Sequence, residues 1–352
     1  MPFKNIGSKS THGFWPLLLR NQYQQLDASI AYRDPEGSKW QFKSHYQQHV
    51  LPHVQNFEDK RCVTLQKYRE RMFIVILGGL LVCALALYWA STMHKVDDGP
   101  FILVFLGCSA LYWWGTLPLR RYQKRVKQNI FPHIFSFFGE AFSYNLHCPI
   151  KMADLKVSGL IPSHDSANQE DYIKGQYKGV DLELFEATLR EKRGSGKNRR
   201  NVVVFQGIFL TFTMNKSFKG QTIVQKDRNA VFNWLESKFE KGKFQQVTLE
   251  DTEFEDIFDV KATDQVEARY LLTTSFMERL KKLGEIIHAQ HIECSFYDKK
   301  VLFKISSSKN RFEVHDLYKP ATFKEDIHHI LEEMHIIFEM IEHLKLHEQT
   351  RL

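Results

Sequence analysis

Cysteine is scarce and scattered: Cys62, Cys83, Cys108, Cys148 and Cys294 are all there are, with no Cys-x-x-Cys pair among them. An odd, dispersed set excludes a disulfide framework and a zinc ribbon, and fits reduced thiols in a cytosolic setting. The ten prolines and 18 glycines follow no period, which excludes collagen-like and low-complexity architecture. Complete catalytic signatures are missing too. No His-Glu-x-x-His, no Gly-x-Ser-x-Gly and no dinucleotide fingerprint occurs, so the sequence implies no enzyme, no catalytic residue, no metal and no cofactor.

Charge is absent from two long stretches. Phe73 to Met93 contains no charged residue, and neither does Pro100 to Leu119. About 20 apolar residues in a helix cross a hydrocarbon core of ~30 Å. With only His94-Lys95-Val96-Asp97-Asp98-Gly99 between them, the two runs read as a transmembrane hairpin; two buried helices of a soluble core are the weaker reading. Lys67, Arg69 and Arg71 precede the first span, while Arg120, Arg121, Lys124, Arg125 and Lys127 follow the second. The positive-inside rule then puts both termini in the cytoplasm. Tyr88 and Trp89 would sit at the outer interface, and Tyr112, Trp113 and Trp114 near the inner one. Gly79, Cys83, Ala86 and Ala90 share a helical face on which the second span is expected to pack. Before the first span, Trp15-Pro16-Leu17-Leu18-Leu19 is too short for a signal-peptide core, so that span is expected to act as its own insertion signal.

The net charge of +7 is uneven. Residues 1–72 hold 11 basic and 6 acidic side chains, residues 120–127 hold five basic and none acidic, and residues 128–352 hold 31 basic and 33 acidic. An excess beside the spans suits anionic lipid headgroups, which attract each such side chain by roughly 1 kcal/mol. A nucleic-acid partner would want the excess on the large soluble part instead. The expected partners are the bilayer and another membrane protein or a second copy of the chain, with no nucleic acid.

The organisation expected is a largely helical segment over 1–72 with loop to about residue 36, the hairpin over 73–119, a juxtamembrane basic helix over 120–147 and a cytosolic α+β domain over 148–352. In that domain Val180, Leu182 and Leu184 alternate with acids, and Ile208, Leu210, Phe212 and Met214 repeat at period two, as half-buried antiparallel strands do. Ile292–Phe296 and Val301–Ile305 flank Asp298-Lys299 as a hairpin. Helical period appears at Val231, Leu235 and Phe239, and again at Phe276, Leu280, Leu283 and Ile287, with a capping box at Ser275 and Glu278. The longest helix starts at a box of Thr322 and Glu325. It repeats Ile327, Ile330, Met334, Ile337, Ile341 and Leu344 as heptad positions, widened by Leu331 and Phe338. So wide a stripe favours docking on the domain's own sheet over a coiled-coil seam. The fold class is therefore α+β: a two-helix transmembrane hairpin plus an antiparallel, barrel-like sheet with a long C-terminal helix.

Several groups invite sharper readings. Arg193-Gly194-Ser195-Gly196-Lys197-Asn198 hints at a phosphate loop, but Glu191 stands where the glycine belongs and Asn198 where Ser or Thr does. With Arg190, Lys192, Arg193, Lys197, Arg199 and Arg200 around it, the stretch reads as a basic hairpin tip, either solvated or touching anionic lipid or an acidic partner. His45, His49 and His53 share a helix face, which metal ligation or a plain polar face would explain. Glu339, His343 and His347 stand one turn apart, and His328, His329 and His335 fall off the apolar stripe. Asp264 and Glu267 have the spacing of an acid–base pair and equally of a helix start, the second being the better fit.

Tyr177-Lys178-Gly179-Val180-Asp181, Phe205-Gln206-Gly207, Phe218-Lys219-Gly220 and the run Phe258-Asp259-Val260-x-Ala262-x-Asp264-Gln265-Val266-Glu267-Ala268-Arg269-Tyr270-Leu271-Leu272-Thr273 with Phe276-Met277 occur in that order. The order resembles a bacterial membrane-protein family known only as domain of unknown function 3137. The resemblance covers roughly residues 60–345, and Asp264–Tyr270 is its most specific part. It implies an inner-membrane protein with two spans and a cytosolic C-terminal domain, no assigned activity, and a LemA-like membrane protein as a plausible companion. The function expected is interaction or scaffolding at the membrane, with a lipid or small-molecule sensor as the alternative.

Overall fold

The computed structural model describes residues 32–34, 40–92, 99–196, 199–214, 217–226, 244–286, 289–308, 312 and 321–343. The N-terminal loop over 1–31, the helix expected at Val231, Leu235 and Phe239, the turn over 94–98, Lys197, Ile287, Leu344 and His347 lie outside the described residues. The chain divides into two compact units, Met1–Ile134 with Val314–Ile327, and Phe135–Glu313 with His328–Leu352.

The first unit is helical. A helical turn at Lys43–His45 runs through a π-helical stretch, Tyr46–Val50, into α1, Leu51–Thr92. The wide turn stands just ahead of Pro52, whose ring would clash with the carbonyl four residues back in an α-helix. α2, Gly99–Phe135, carries Pro118 and Pro132 within it. A methyl group built on Gly78 would meet Leu111 at 3.3 Å, one on Gly107 would meet Val82 at 3.8 Å, and one on Gly115 would meet Met72 and Val75 at 2.9 Å. These contacts run in opposite directions along the two chains, so α1 and α2 pack antiparallel. The face expected to carry this packing is not the one that does: a methyl on Gly79 would meet nothing within 4 Å, and Cys83 is exposed. The contact falls one residue earlier, where Met72, Val75 and Val82 supply side chains against the glycines of α2.

The second unit is built on one sheet, all of whose described strand pairs are antiparallel. Its strands are β1 (Ser143–His147), β2 (Ser166–Tyr177), β3 (Val180–Arg193), β4 (Arg200–Thr213), β5 (Thr222–Gln225), β6 (Gln245–Gln246), β7 (Asp259–Ala262), β8 (His291–Tyr297) and β9 (Lys300–Ser306), in spatial order β1-β2-β3-β4-β9-β8-β5-β7-β6. The sheet is open, which corrects the barrel-like expectation. Its edge strands, five and two residues long, do not pair with each other, and packed segments cover its faces instead. The β2–β3 turn has φ +49 at Lys178 and +80 at Gly179, and the expected β8–β9 hairpin turns at Asp298 with φ +51. Gly207, at φ +150, lies so close to β9 that an added methyl would stand 2.0 Å from the Ile305 carbonyl oxygen. That crowding, not composition, explains the glycine in the Phe205-Gln206-Gly207 unit.

One face of the sheet buries Phe185, Leu189, Phe205, Phe209, Ile223 and Leu302 beneath Met152 and Leu155 of the short helix α3, Met152–Leu155, and the following Leu160 and Ile161. On the other face, α7, Lys324–His343, stacks Phe338 on Tyr177 at 4.1 Å, with Phe138 and Phe142 edge-on to Phe338. Ile330, Leu331, Met334, Ile337, Phe338 and Ile341 are all buried, so the wide stripe docks inside its own chain. The basic helix expected to about residue 146 ends at Phe135; a 3₁₀ turn, Ser136–Phe138, and strand β1 follow. After α4, Thr252–Ile257, and α5, Gln265–Leu271, α6, Thr274–Ile286, starts from Thr273, whose hydroxyl accepts the Phe276 N–H at 3.2 Å. The capping-box residues do not stand directly before α6 and α7: Ser275 lies inside the first, and Thr322 two residues ahead of the second. α7 starts after Phe323 at φ +54, and the Thr322 carbonyl accepts the Tyr46 hydroxyl at 2.9 Å.

Candidate membrane interface

Apolar exposure concentrates on the two long helices. Phe73, Ile74, Leu77, Leu80, Leu81, Leu85, Leu87, Tyr88 and Trp89 of α1 are exposed, as are Ile102, Phe105, Leu106, Tyr112, Trp113 and Trp114 of α2. The helix Lys43–Trp89 is long and apolar enough to cross a membrane, and its most apolar 18-residue window is 6% buried. Among the described residues this is the one helix that meets both conditions; α2 pairs with it but does not independently establish a second crossing. Soluble proteins rarely expose a contiguous apolar surface of this size.

Polar side chains close the belt at one end. The Arg71 guanidinium lies 4.7 Å over the Trp114 ring and donates to the Trp114 carbonyl at 3.3 Å, a cation–π contact that ties α1 to α2. Lys67, Arg120, Arg121, Lys124 and Arg125 are exposed and Arg69 is half-buried, but Lys127 is buried. Lys127 does not belong to the exposed basic surface: it falls on the buried face with Val126 and Ile130.

Deeper in this unit stands a pair that sequence reading missed. Arg61, 1% exposed, donates through Nε to Glu58 at 2.8 Å and through a second nitrogen to the other carboxylate oxygen. Glu58 also accepts the Ala321 N–H at 2.7 Å, and Phe57 meets Phe323 edge-on. Burial raises the Glu58 pKa, but the hydrogen bonds from Arg61 and Ala321 outweigh it and hold the carboxyl below its usual range. Glu58 and Arg61 are spaced i, i+3, an ordinary surface spacing, and nothing local marks them as buried.

The structure brings three helical histidines together with a fourth. His45 and His49 rings lie 4.4 Å apart, His53 stacks on His133 of α2 at 4.6 Å, and His45 Nε2 is 2.7 Å from the His133 carbonyl oxygen. Burial lowers the pKa of His45 and of His133, and the neighbouring imidazoles depress His133 further. On α7, His328 pairs with Glu332 at 3.0 Å and His335 with Glu339 at 3.2 Å. Among the described residues no group of three His, Cys, Asp or Glu side chains is placed to hold a metal ion.

In the second unit the Asp264 motif serves as a helix start. Asp264 Oδ1 accepts the N–H groups of Val266 at 2.9 Å and Glu267 at 3.0 Å, capping α5, Gln265–Leu271. Glu267 turns elsewhere: its two oxygens accept the N–H groups of Lys219 at 2.8 Å and Gly220 at 2.7 Å, while Thr263 Oγ1 accepts the Gln221 N–H at 2.8 Å. The two carboxylates are thus occupied by backbone donors, and α5 leaves Val266 and Tyr270 exposed one turn apart. Sequence alternation also hid two ion pairs in the sheet, Asp259 with Lys261 at 3.2 Å and Glu293 with Lys304. Gln225 stands opposite Asp259 in the register, and it is buried with neither amide atom hydrogen-bonded among the described residues. The basic tip forms the far end of the β3–β4 hairpin, with Arg190, Lys192, Arg193, Arg199 and Arg200 exposed.

No curated protein matches the chain. Among solved structures it is similar to the crystal structure of the mycobacterial trehalose monomycolate transport factor A, TtfA, at 9% identity over 58% of this chain and 88% of that one, with a TM-score of 0.32. The Asp264–Tyr270 motif and the β8–β9 hairpin fall within residues 203–346, and this stretch matches the family described as Protein of unknown function (DUF3137).

Proposed function

We propose that the chain is a two-pass protein of the bacterial inner membrane in which α1 and α2 cross as a hairpin. Its termini are cytoplasmic, and its sheet domain acts in interaction or scaffolding at the membrane. The observation that carries the reading is the apolar belt: Phe73, Leu77, Leu81, Leu85 and Trp89 of one helix and Ile102, Phe105, Leu106 and Trp113 of the other are exposed, and the two helices are antiparallel. In water that surface would drive aggregation, whereas in lipid it lies in its preferred medium, with the backbone polar groups paired along the helices. The basic residues gathered at Lys67–Arg71 and Arg120–Arg125 orient the pair with its connecting turn outside. Val266 and Tyr270, exposed in the second unit, supply apolar contact area for a protein partner.

A membrane-impermeant maleimide applied to intact cells tests the topology. It should label Val96→Cys and leave the wild-type protein unlabelled. Labelling of Val96→Cys only after lysis would overturn the hairpin. Native mass spectrometry from mild detergent then separates scaffold from sensor. A discrete multimer or partner mass supports the scaffold, and a bare monomer retaining a lipid or metabolite supports the sensor.

A further inference from the structure

We propose that the distal end of the β3–β4 hairpin is an arm that binds anionic lipid headgroups; this rests on the membrane-anchored reading above. β3 and β4 stay paired out to Arg193↔Arg200, with a bulge between Leu189 and Arg190. β9 supports β4 only over Gly207–Thr213, and β2 follows β3 only as far as Arg190. Among the described strands, the last rungs of the hairpin therefore have no neighbour on either side. Arg190, Lys192, Arg193, Arg199 and Arg200 are exposed there. Gly194 and Gly196, at φ +91 and +56, let the chain reverse without a bulky side chain between the cationic groups.

The arm concentrates a charge that the rest of its domain lacks. Residues 190–200 contain six basic side chains and one acid, whereas the remainder of 128–352 has 25 basic and 32 acidic. The one acid, Glu191, is taken by Arg193 at 2.7 Å, and the nearby Asp165 carboxylate accepts the Lys192 N–H at 2.6 Å. Arg193 and Arg200 are still left opposite each other at the terminal rung, an arrangement that destabilises a ladder. An array of phosphate oxygens would relieve it with charge-assisted bonds to both guanidiniums. Val203, 48% exposed and paired with Arg190, adds an apolar side chain beside the cations. Guanidinium next to valine matches the boundary between headgroup and acyl chain better than it matches a purely polar anion. Tethering settles the choice of occupant, since a domain anchored in a bilayer meets lipid at high effective concentration.

Hydrogen exchange of the full-length protein tests this in nanodiscs of phosphatidylcholine alone and of phosphatidylcholine mixed with phosphatidylglycerol. Amides over 190–203 should exchange severalfold more slowly in the anionic discs. The difference should vanish in the double variant Arg199→Glu with Arg200→Glu and shrink with added salt, while the rest of the sheet is unchanged. Equal exchange in both discs overturns the proposal, as does protection by soluble polyglutamate without protection by phosphatidylglycerol. A protein that enters neither disc refutes the membrane-anchored reading itself, an outcome distinct from incorporation without protection of the arm.

Discussion

Glu267→Gln should destabilise the second unit although it changes one atom. In the wild type each carboxylate oxygen accepts one backbone N–H, from Lys219 at 2.8 Å and Gly220 at 2.7 Å. The amide keeps one carbonyl oxygen and turns an NH2 donor toward the other N–H, so a charge-assisted bond becomes a repulsive contact. Hydrogen bonds to charged groups contribute ~1.5–3 kcal/mol each. Glu267 and Gly220 are only half-buried and Lys219 is exposed, which leaves a net cost of about 2 kcal/mol after water competes for the freed donor. For a unit of this size that lowers Tm by roughly 4–8 °C. Asp264→Asn is the control, because an asparagine side chain caps a helix about as well as aspartate; it should melt within about 1 °C of wild type. Thermal unfolding of the full-length protein, followed by the loss of strand circular dichroism, measures both. If Glu267→Gln melts with wild type, the carboxylate is not the clamp on the 219–220 backbone. If Asp264→Asn falls equally far, ionisation of Asp264 matters beyond capping.

Two further perturbations follow from buried polar groups. Glu58→Gln strips the counter-charge from Arg61, which is 1% exposed, and should cost ~3–5 kcal/mol at neutral pH. The folded Glu58 pKa is depressed, so its stabilisation is present above the unfolded carboxylate pKa and lost as pH falls through the folded value. Urea midpoints of wild type and variant should accordingly converge in acid, and a gap independent of pH would contradict the ionised pair. Gln225→Met replaces an amide with two unbonded atoms by an apolar chain of similar volume, and should raise stability by about 1–3 kcal/mol; a lower melting temperature would show that the amide has a partner.

What was legible in the sequence was whatever depends on a chain segment alone. Period-two alternation placed β3, β4, β8 and β9, and the width of the α7 stripe indicated docking on the sheet. The absence of charge marked α1 as a helix that exposes apolar side chains. The features misread are those decided by a neighbour. Small residues at 79, 83, 86 and 90 made one face of α1 look like its packing face, yet the contact with α2 passes through Gly78 and Val82, since α2 brings its own glycines, Gly107 and Gly115. Lys127 read as one of a basic run, but a residue's depth is set by what packs over its face of the helix. The strand Asp259-Val260-Lys261-Ala262 alternates like a half-exposed strand, and all four residues are buried. Cover on both faces of the sheet is a tertiary fact.

The same distinction governs the residues that looked chemical. Asp264 and Glu267 have acid–base spacing, yet three of their four oxygens accept four backbone N–H groups. Carboxylates holding backbone donors on a fixed turn and a helix start are bound into the fold, since moving either would break bonds it uses. Glu58 meets the same constraint through Arg61 and Ala321, and Glu186 accepts the Phe312 N–H at 3.3 Å. A fold that ties these acids to its backbone leaves two surfaces of one character each: an apolar belt on two helices, and a hairpin end with six basic side chains against one acid. Both are matched by an extended surface that is apolar within and anionic at its border, and a bilayer has that composition.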